Sequence, residues 1–144
     1  MSAIIQGHPG IGRGVFEGEA LCASDGFSAR YDLDLERGVF ARPGHQLHGE
    51  SFADRIIVLD IAKGGVASAW MLNVLMQGRY RPKALLLNKA NPIMAQGASF
   101  AQMPLIDRFS VDITKALKTG DRLRLHPVEG RVEVLQSEER EELV

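Results

Sequence analysis

The sequence predicts an α/β domain with a parallel βαβαβ core, flanked by N-terminal strands and closed by a C-terminal hairpin. Three observations carry this. Ile56-Ile57-Val58-Leu59 and Ala84-Leu85-Leu86-Leu87 are short, unbroken apolar runs, as expected of strands covered on both faces. Each is followed by a stretch with helix-start chemistry. A third apolar segment, Met103-Pro104-Leu105-Ile106, completes a strand–helix–strand–helix–strand order, which implies parallel pairing with right-handed crossovers.

The elements follow in order. Residues 1–12 are Gly-rich and aperiodic and read as a loose arm. Val15 to Ala23 alternates as a strand. Asp25-Gly26 turns the chain into a second extended run, Phe27 to Leu33, and Glu36-Arg37-Gly38 turns it again before Val39-Phe40. Gly, Pro and His dominate residues 43–49, a loop. The strand Arg55 to Ile61 runs into Lys63-Gly64-Gly65, and a helix spans about Val66 to Gln77. Its expected apolar side holds Ala67, Trp70 or Met71, Val74 and Leu75, with Gly78 as the stop. Asn91 as N-cap and Pro92 at the first helical position open a second helix, to about Ala101. Gly97 inside it costs roughly 1 kcal/mol against Ala, so close packing against a neighbour is expected there. Asp112 caps a short helix ending at Gly120. Leu123–Leu125 and Val132–Leu135 form the hairpin across the Pro127–Gly130 turn. Residues 137–144, with four glutamates and one arginine, read as a charged tail. Residues 1–144 are expected to form a single domain.

Composition excludes several function classes. At 144 residues the chain is long enough for one good core, and 45% hydrophobic with 24% charged residues is ordinary for a soluble protein. A net charge of −1 gives no reason to propose nucleic acid or an anionic membrane as partner. No apolar run approaches the roughly 18 residues needed to span a bilayer. The single cysteine, Cys22, allows no internal disulfide, and the start of the chain does not resemble a signal peptide. A cytoplasmic location is expected.

The most informative stretch is Asp60 to Trp70. A glycine loop at a helix start leaves backbone N–H groups unpaired and pointing outward. With the positive end of the helix dipole they make a site for a carboxylate or phosphate. The lysine precedes the glycines, so this is not the nucleotide-binding P-loop, and no dinucleotide Gly-x-Gly-x-x-Gly follows the strand. Loops leaving the carboxyl ends of parallel strands share one edge. Lys63, the Gly64 and Gly65 amides, Ser68 and Asn91 are therefore expected to converge as a small-anion site.

Groups to transform that ligand are scarce. His45-x-x-His48 with Glu50 has a metal-like spacing but sits in a Pro/Gly loop, and reads as surface histidines. One cysteine cannot hold an iron–sulfur cluster, and no zinc site is supported. No metal site is expected on this chain. Cys22 on a core strand reads as an inert thiol. A ligand site without the means of catalysis suggests half of an enzyme.

A specific resemblance fits that description. Gly12-Arg13-Gly14-Val15-Phe16-Glu17-Gly18-Glu19-Ala20-Leu21 and His45 through Gly49-Glu50-Ser51 resemble the opening strand and the following loop of the aconitase X small subunit, or swivel domain. So do Lys63-Gly64-Gly65, Pro82-Lys83-Ala84, Asn91-Pro92-Ile93-Met94-Ala95-Gln96-Gly97-Ala98, Pro104-Leu105-Ile106-Asp107 and Thr119-Gly120-Asp121. The order and spacing match over about residues 12–135. The resemblance implies a swivelling β/β/α domain. It implies a separate large catalytic subunit carrying an iron or iron–sulfur centre, with no cofactor on this chain. It also implies dehydration of a small anionic hydroxy acid, by a complex in which this chain alone is inactive.

Two substrates are familiar in that family: cis-3-hydroxy-L-proline in bacteria and mevalonate 5-phosphate in archaea. The Asn-Pro-Ile-Met-Ala-Gln-Gly form of the second loop resembles the bacterial branch, so hydroxyproline is the expectation here and mevalonate 5-phosphate the alternative. One departure matters. The archaeal members carry their catalytic serine where this chain has Gly65. Ser68, three residues on, shares a helix face with that position and is the candidate replacement. Loss of the serine also leaves open a non-catalytic binding or regulatory module of the same fold.

Overall fold

The computed structural model describes residues 3–137. Nine strands are formed among the described residues: β1 (Ala3–Gln6), β2 (Phe16–Cys22), β3 (Leu33–Asp34), β4 (Val39–Phe40), β5 (Arg55–Ile61), β6 (Ala84–Lys89), β7 (Leu105–Ile106), β8 (Arg122–His126) and β9 (Arg131–Gln136). Three α-helices join them: α1 (Val66–Gln77), α2 (Pro92–Ala101) and α3 (Ile113–Ala116). Seven strands make one mixed sheet in the order β1-β9-β8-β2-β5-β6-β7, and β3 and β4 pair separately. β2, β5, β6 and β7 run parallel; β2–β8, β8–β9 and β9–β1 are antiparallel. This is the expected α/β architecture, parallel core and closing hairpin included.

The apolar runs are continuous because both sheet faces are covered. Side chains alternate across a strand. Ile57, Leu59, Leu85 and Leu87 face α1, α2 and the 27–52 segment, where they pack with Phe27, Phe40, Phe52, Leu72 and Met94. Ile56, Val58, Ala84 and Leu86 face the other way, toward Ile113, Leu117, Leu123, Leu125 and Val132.

α2 starts where its caps require. The Asn91 side chain accepts from the Met94 N–H at 2.8 Å, and Pro92 occupies the first turn, where a missing N–H costs nothing. Gly97 explains itself here: a Cβ would lie 2.8 Å from the Ala69 Cβ and 2.9 Å from the Ala69 carbonyl oxygen. α1 and α2 cross in contact at that point.

Four expectations need correction. The arm is not loose. Ala3–Gln6 pairs antiparallel with β9, and the N–H groups of Gly7, His8, Gly10 and Ile11 donate to Gly130, Asp107, Pro127 and Leu105. Aperiodic sequence hid it because an edge strand exposed on most of its length needs no apolar alternation. The Phe27–Leu33 run is mostly turn: Phe27 bridges to Ala62, and Asp32 N–H then bonds back to the Ser28 carbonyl. The helix after Asp112 is a single turn, α3, because Leu117 already adopts extended backbone. Last, α1 buries Ser68, Ala69, Leu72 and Leu75, whereas Trp70 and Val74 are exposed. Apolar residues surround this helix, so periodicity cannot choose its inner face. Residues 138–144, most of the charged tail, lie outside the described residues. No helix among the described residues is long and apolar enough to cross a membrane.

Candidate functional site

Lys63, Gly64 and Gly65 form the loop from the carboxyl end of β5 into α1. Gly64 takes φ +97°, a region that favours glycine. Gly65 is the N-cap of α1, without a side chain to cap it. Among the described residues, the N–H groups of Gly64, Gly65 and Val66 donate no hydrogen bond. These unpaired donors sit at the positive end of a three-turn helix.

The loop borders a cavity of about 400 Å³ lined by Ser28, Tyr31, Asp32, Arg42, Lys63 and Gly64. Lys63 reaches it because its backbone is tied to the 27–32 segment: Phe27 N–H donates to Ile61, and Lys63 N–H to Phe27. The Lys63 side chain lies over Gly26, where a Cβ would approach its Cε to 2.6 Å.

A buried ionic group supports the opposite wall. Asp32 is 1% exposed. It accepts from the Ser28 N–H at 2.8 Å and from Arg42 Nε at 2.6 Å. Arg42 also lies 3.6 Å from Asp25. The hydrogen bond to Asp32 raises the Arg42 pKa. Burial pushes the Asp25 carboxyl up, but hydrogen bonds from the Gly26 and Gln46 N–H groups, helped by Arg42, outweigh it and hold the group below the usual carboxylate range. The two aspartates thus fix Arg42 and largely neutralise it. Lys63 has no ion pair among the described residues, so its ammonium group lines the cavity without a direct ionic partner.

His45 is not a surface histidine. It is 3% exposed and stacks on Phe40 with ring centroids 4.9 Å apart. Nδ1 accepts from the Leu47 N–H at 3.0 Å, so the proton lies on Nε2, facing the Gly26 carbonyl at 2.9 Å. This ring shapes the Asp25–Gly26 turn beneath Lys63. His48 and Glu50 are exposed, and His48 meets His45 through its N–H, which donates to the His45 carbonyl at 3.0 Å. No group of three or more His, Cys, Asp or Glu among the described residues could hold a metal ion. Cys22 is partly buried with its thiol directed at the Thr114 and Leu117 carbonyls. Burial, with Asp121 and Asp112 nearby, pushes its pKa up to about 12, which makes a poor nucleophile.

The predicted site residues do not all meet. Lys63 and Gly64 line the cavity, and Gly65 adjoins them with open space where a side chain would point. Ser68 is 2% exposed and lies beneath the loop. A Cβ on Gly64 would overlap its hydroxyl and sit 2.7 Å from its Cβ. Ser68 does not line the cavity. Asn91 spends its side-chain oxygen on capping α2 and does not line it either. Sequence reasoning missed Arg42, Asp32, Ser28 and Tyr31. The available signal was an Asp and an Arg in a stretch otherwise made of turn residues; nothing local tied them to a loop more than 20 positions on.

Comparison with known proteins decides the family. The model of the aconitase X swivel domain matches residues 4–134. The chain belongs to the aconitase X swivel domain family. It is 38% identical over 126 residues to the phosphomevalonate dehydratase small subunit of Pyrococcus horikoshii, covering 88% of this chain and 92% of that one. It is 34% identical over 125 residues to the protein of the same name in Methanococcoides burtonii, covering 87% and 91%. The crystal structure of Thermococcus kodakaraensis aconitase X in its holo-form superposes with a TM-score of 0.85 at 28% identity, over 93% of this chain and 99% of that one. This swivel domain is therefore a small subunit of an aconitase X-type dehydratase, as the resemblance implied. The Asn91–Gly97 pattern that pointed to hydroxyproline is accounted for by a helix cap and a helix crossing, neither of which touches the cavity.

Proposed function

We propose that this chain is the small subunit of a dehydratase acting on mevalonate 5-phosphate, and that the Lys63–Gly65 loop holds an anionic group of the substrate. The observation that carries this is Lys63, which has no ion pair, beside Gly64 on the cavity wall, at a helix start whose Gly64, Gly65 and Val66 N–H groups are unpaired. Such an arrangement suits a phosphate, which takes several donors at once. Arg42 lines the same cavity, with its charge already met by Asp25 and Asp32. The relatives named phosphomevalonate dehydratase small subunit support mevalonate 5-phosphate over hydroxyproline as the substrate.

Dehydration breaks a C–H and a C–O bond. This chain binds and orients; at the position of the family's serine it offers no base, since Gly65 has no side chain and Ser68 is covered. An iron or iron–sulfur centre on the large subunit would supply the Lewis acid that lets hydroxide leave. The base is assigned to the large subunit as well. Purified alone, the chain is expected to show no turnover.

The test reconstitutes the chain with its cognate large subunit and offers mevalonate 5-phosphate and cis-3-hydroxy-L-proline separately. Turnover of the first is expected. Lys63→Ala is expected to raise KM about tenfold or more, the loss of a charge-assisted hydrogen bond. Turnover of hydroxyproline alone would establish the second reading. An intact complex that turns over neither compound would favour a non-catalytic module.

Ser68→Ala separates support from catalysis. As a buried prop under Gly64, Ser68 should matter by about 1 kcal/mol of stability and less than about threefold in kcat. A kcat loss on the order of 100-fold at unchanged KM would instead place Ser68 in proton transfer, as in general acid–base catalysis.

A further inference from the structure

α1 is apolar nearly all round, yet only one side of it is buried. Such a helix in a soluble protein normally has a second covered face. Its outward side joins that of α2 in a groove of about 530 Å³. Ala69 and Gly97 form the floor, where the helices touch. Val66 and Ile93 form one end. Trp70 and Phe100 stand as a paired ridge, their rings 5.8 Å apart. Val66 is 75% exposed, Phe100 67% and Trp70 57%. No charged side chain lines the groove. Single exposed apolar residues are ordinary, but a contiguous uncharged patch with two aromatic rings marks an interaction surface.

Its position decides what covers it. Val66 directly follows Gly65, and Ile93 lies in the first turn of α2. Both helices start at the carboxyl edge of the parallel strands, so the groove opens at the edge that carries the ligand loop. Val66 lines the groove and follows the ligand loop directly, so a protein seated on the groove reaches Gly64 and Gly65 with its neighbouring groups. A second copy of this chain would bring only another Lys63 loop and no further chemistry. We propose that the α1–α2 groove is the docking face for the large subunit, with Trp70 and Phe100 as the anchoring side chains. This rests on the reading of the chain as a dehydratase small subunit.

Trp70 is the one tryptophan of the chain, which gives a direct probe. Chain labelled with 5-fluorotryptophan is titrated with the cognate large subunit and followed by 19F NMR, with the affinity measured by calorimetry. The Trp70 resonance is expected to shift on complex formation. Trp70→Glu/Phe100→Glu is expected to weaken binding about 30-fold or more, as for aromatic anchors at other interfaces. Val128→Glu, at an exposed apolar position outside the groove, is expected to leave it unchanged. Both variants change exposed residues, and circular dichroism melts check that each stays folded. If a softer change is needed, Trp70→Ala gives the same reading.

The outcomes separate cleanly. Wild-type affinity in the double variant, or an unmoved Trp70 resonance in a formed complex, overturns the docking face and leaves the small-subunit reading intact. Absence of binding by wild-type chain overturns both. Concentration-dependent dimerisation of the wild type that the double variant abolishes, with large-subunit affinity unchanged, would assign the groove to a second copy.

Discussion

Gly64→Val is expected to lower the activity of the reconstituted complex by more than about tenfold while the domain still folds. Two causes act at one atom. The backbone at Gly64 sits at φ +97°, where a β-branched residue is strained by roughly 1–3 kcal/mol. The new Cβ would also collide with Ser68, which is buried and cannot swing away. Relief requires the loop to move, and with it the N–H groups that face the cavity. A loss of this size is smaller than the roughly 5–15 kcal/mol that holds an ordinary domain together, so the effect should fall on binding and turnover. Gly65→Ala is the control. Its φ is −118° and its Cβ would meet open space, so stability should change by less than about 0.5 kcal/mol. Calorimetric melts and steady-state assays of both variants check this. Full activity in folded Gly64→Val would remove the loop from the site.

Gly97→Val is expected to cost about 3 kcal/mol or more, at the upper end of overpacking, and to lower Tm by roughly 6–12 °C. Gly97 faces Ala69 so closely that all three nearest atoms to an added Cβ belong to that residue, two of them backbone at 2.9 and 3.0 Å. Backbone cannot change rotamer. α1 must therefore lift off α2, which also disturbs Leu72 and Met94 behind it. Better helix propensity returns at most about 1 kcal/mol, so the sign is not in doubt. Even Gly97→Ala should destabilise. Denaturant titrations decide it: an alanine variant as stable as the native protein would mean that the two helices separate freely, and the crossing would lose its role.

Much of the frame was legible because its signals are local. The runs at Ile56–Leu59 and Ala84–Leu87 name their own environment, since only a strand covered on both faces stays apolar at successive positions. Asn91-Pro92 marks a helix start through bonds made within one turn. Gly97 announced close packing, because a glycine inside a helix needs a reason. Parallel order followed from the alternation of elements. The aconitase X resemblance rested on pieces in the right order, and the family match spans the same region.

The site was legible only in part. Lys63-Gly64-Gly65 is a strand-to-helix loop that any reader of the chain would select. Ser68 was selected with it by proximity along the chain and Asn91 by the shared sheet edge, and neither says which way a side chain turns. His45 looked like a loop residue because Gly and Pro surround it; the tertiary structure buries it against Phe40 instead.

The sequence by itself determined the parallel core, its two crossover helices and the closing hairpin, since their apolar runs and caps are local signals. Only the tertiary structure decided which face of α1 is covered, that Ser68 lies beneath the loop, and that Arg42 and Asp32 stand across a cavity from Lys63. The first and last of these depend on segments some 20 to 30 residues apart meeting through the fold, and the second on how the loop turns into α1. An apolar helix such as α1 carries no internal record of which neighbour will bury it.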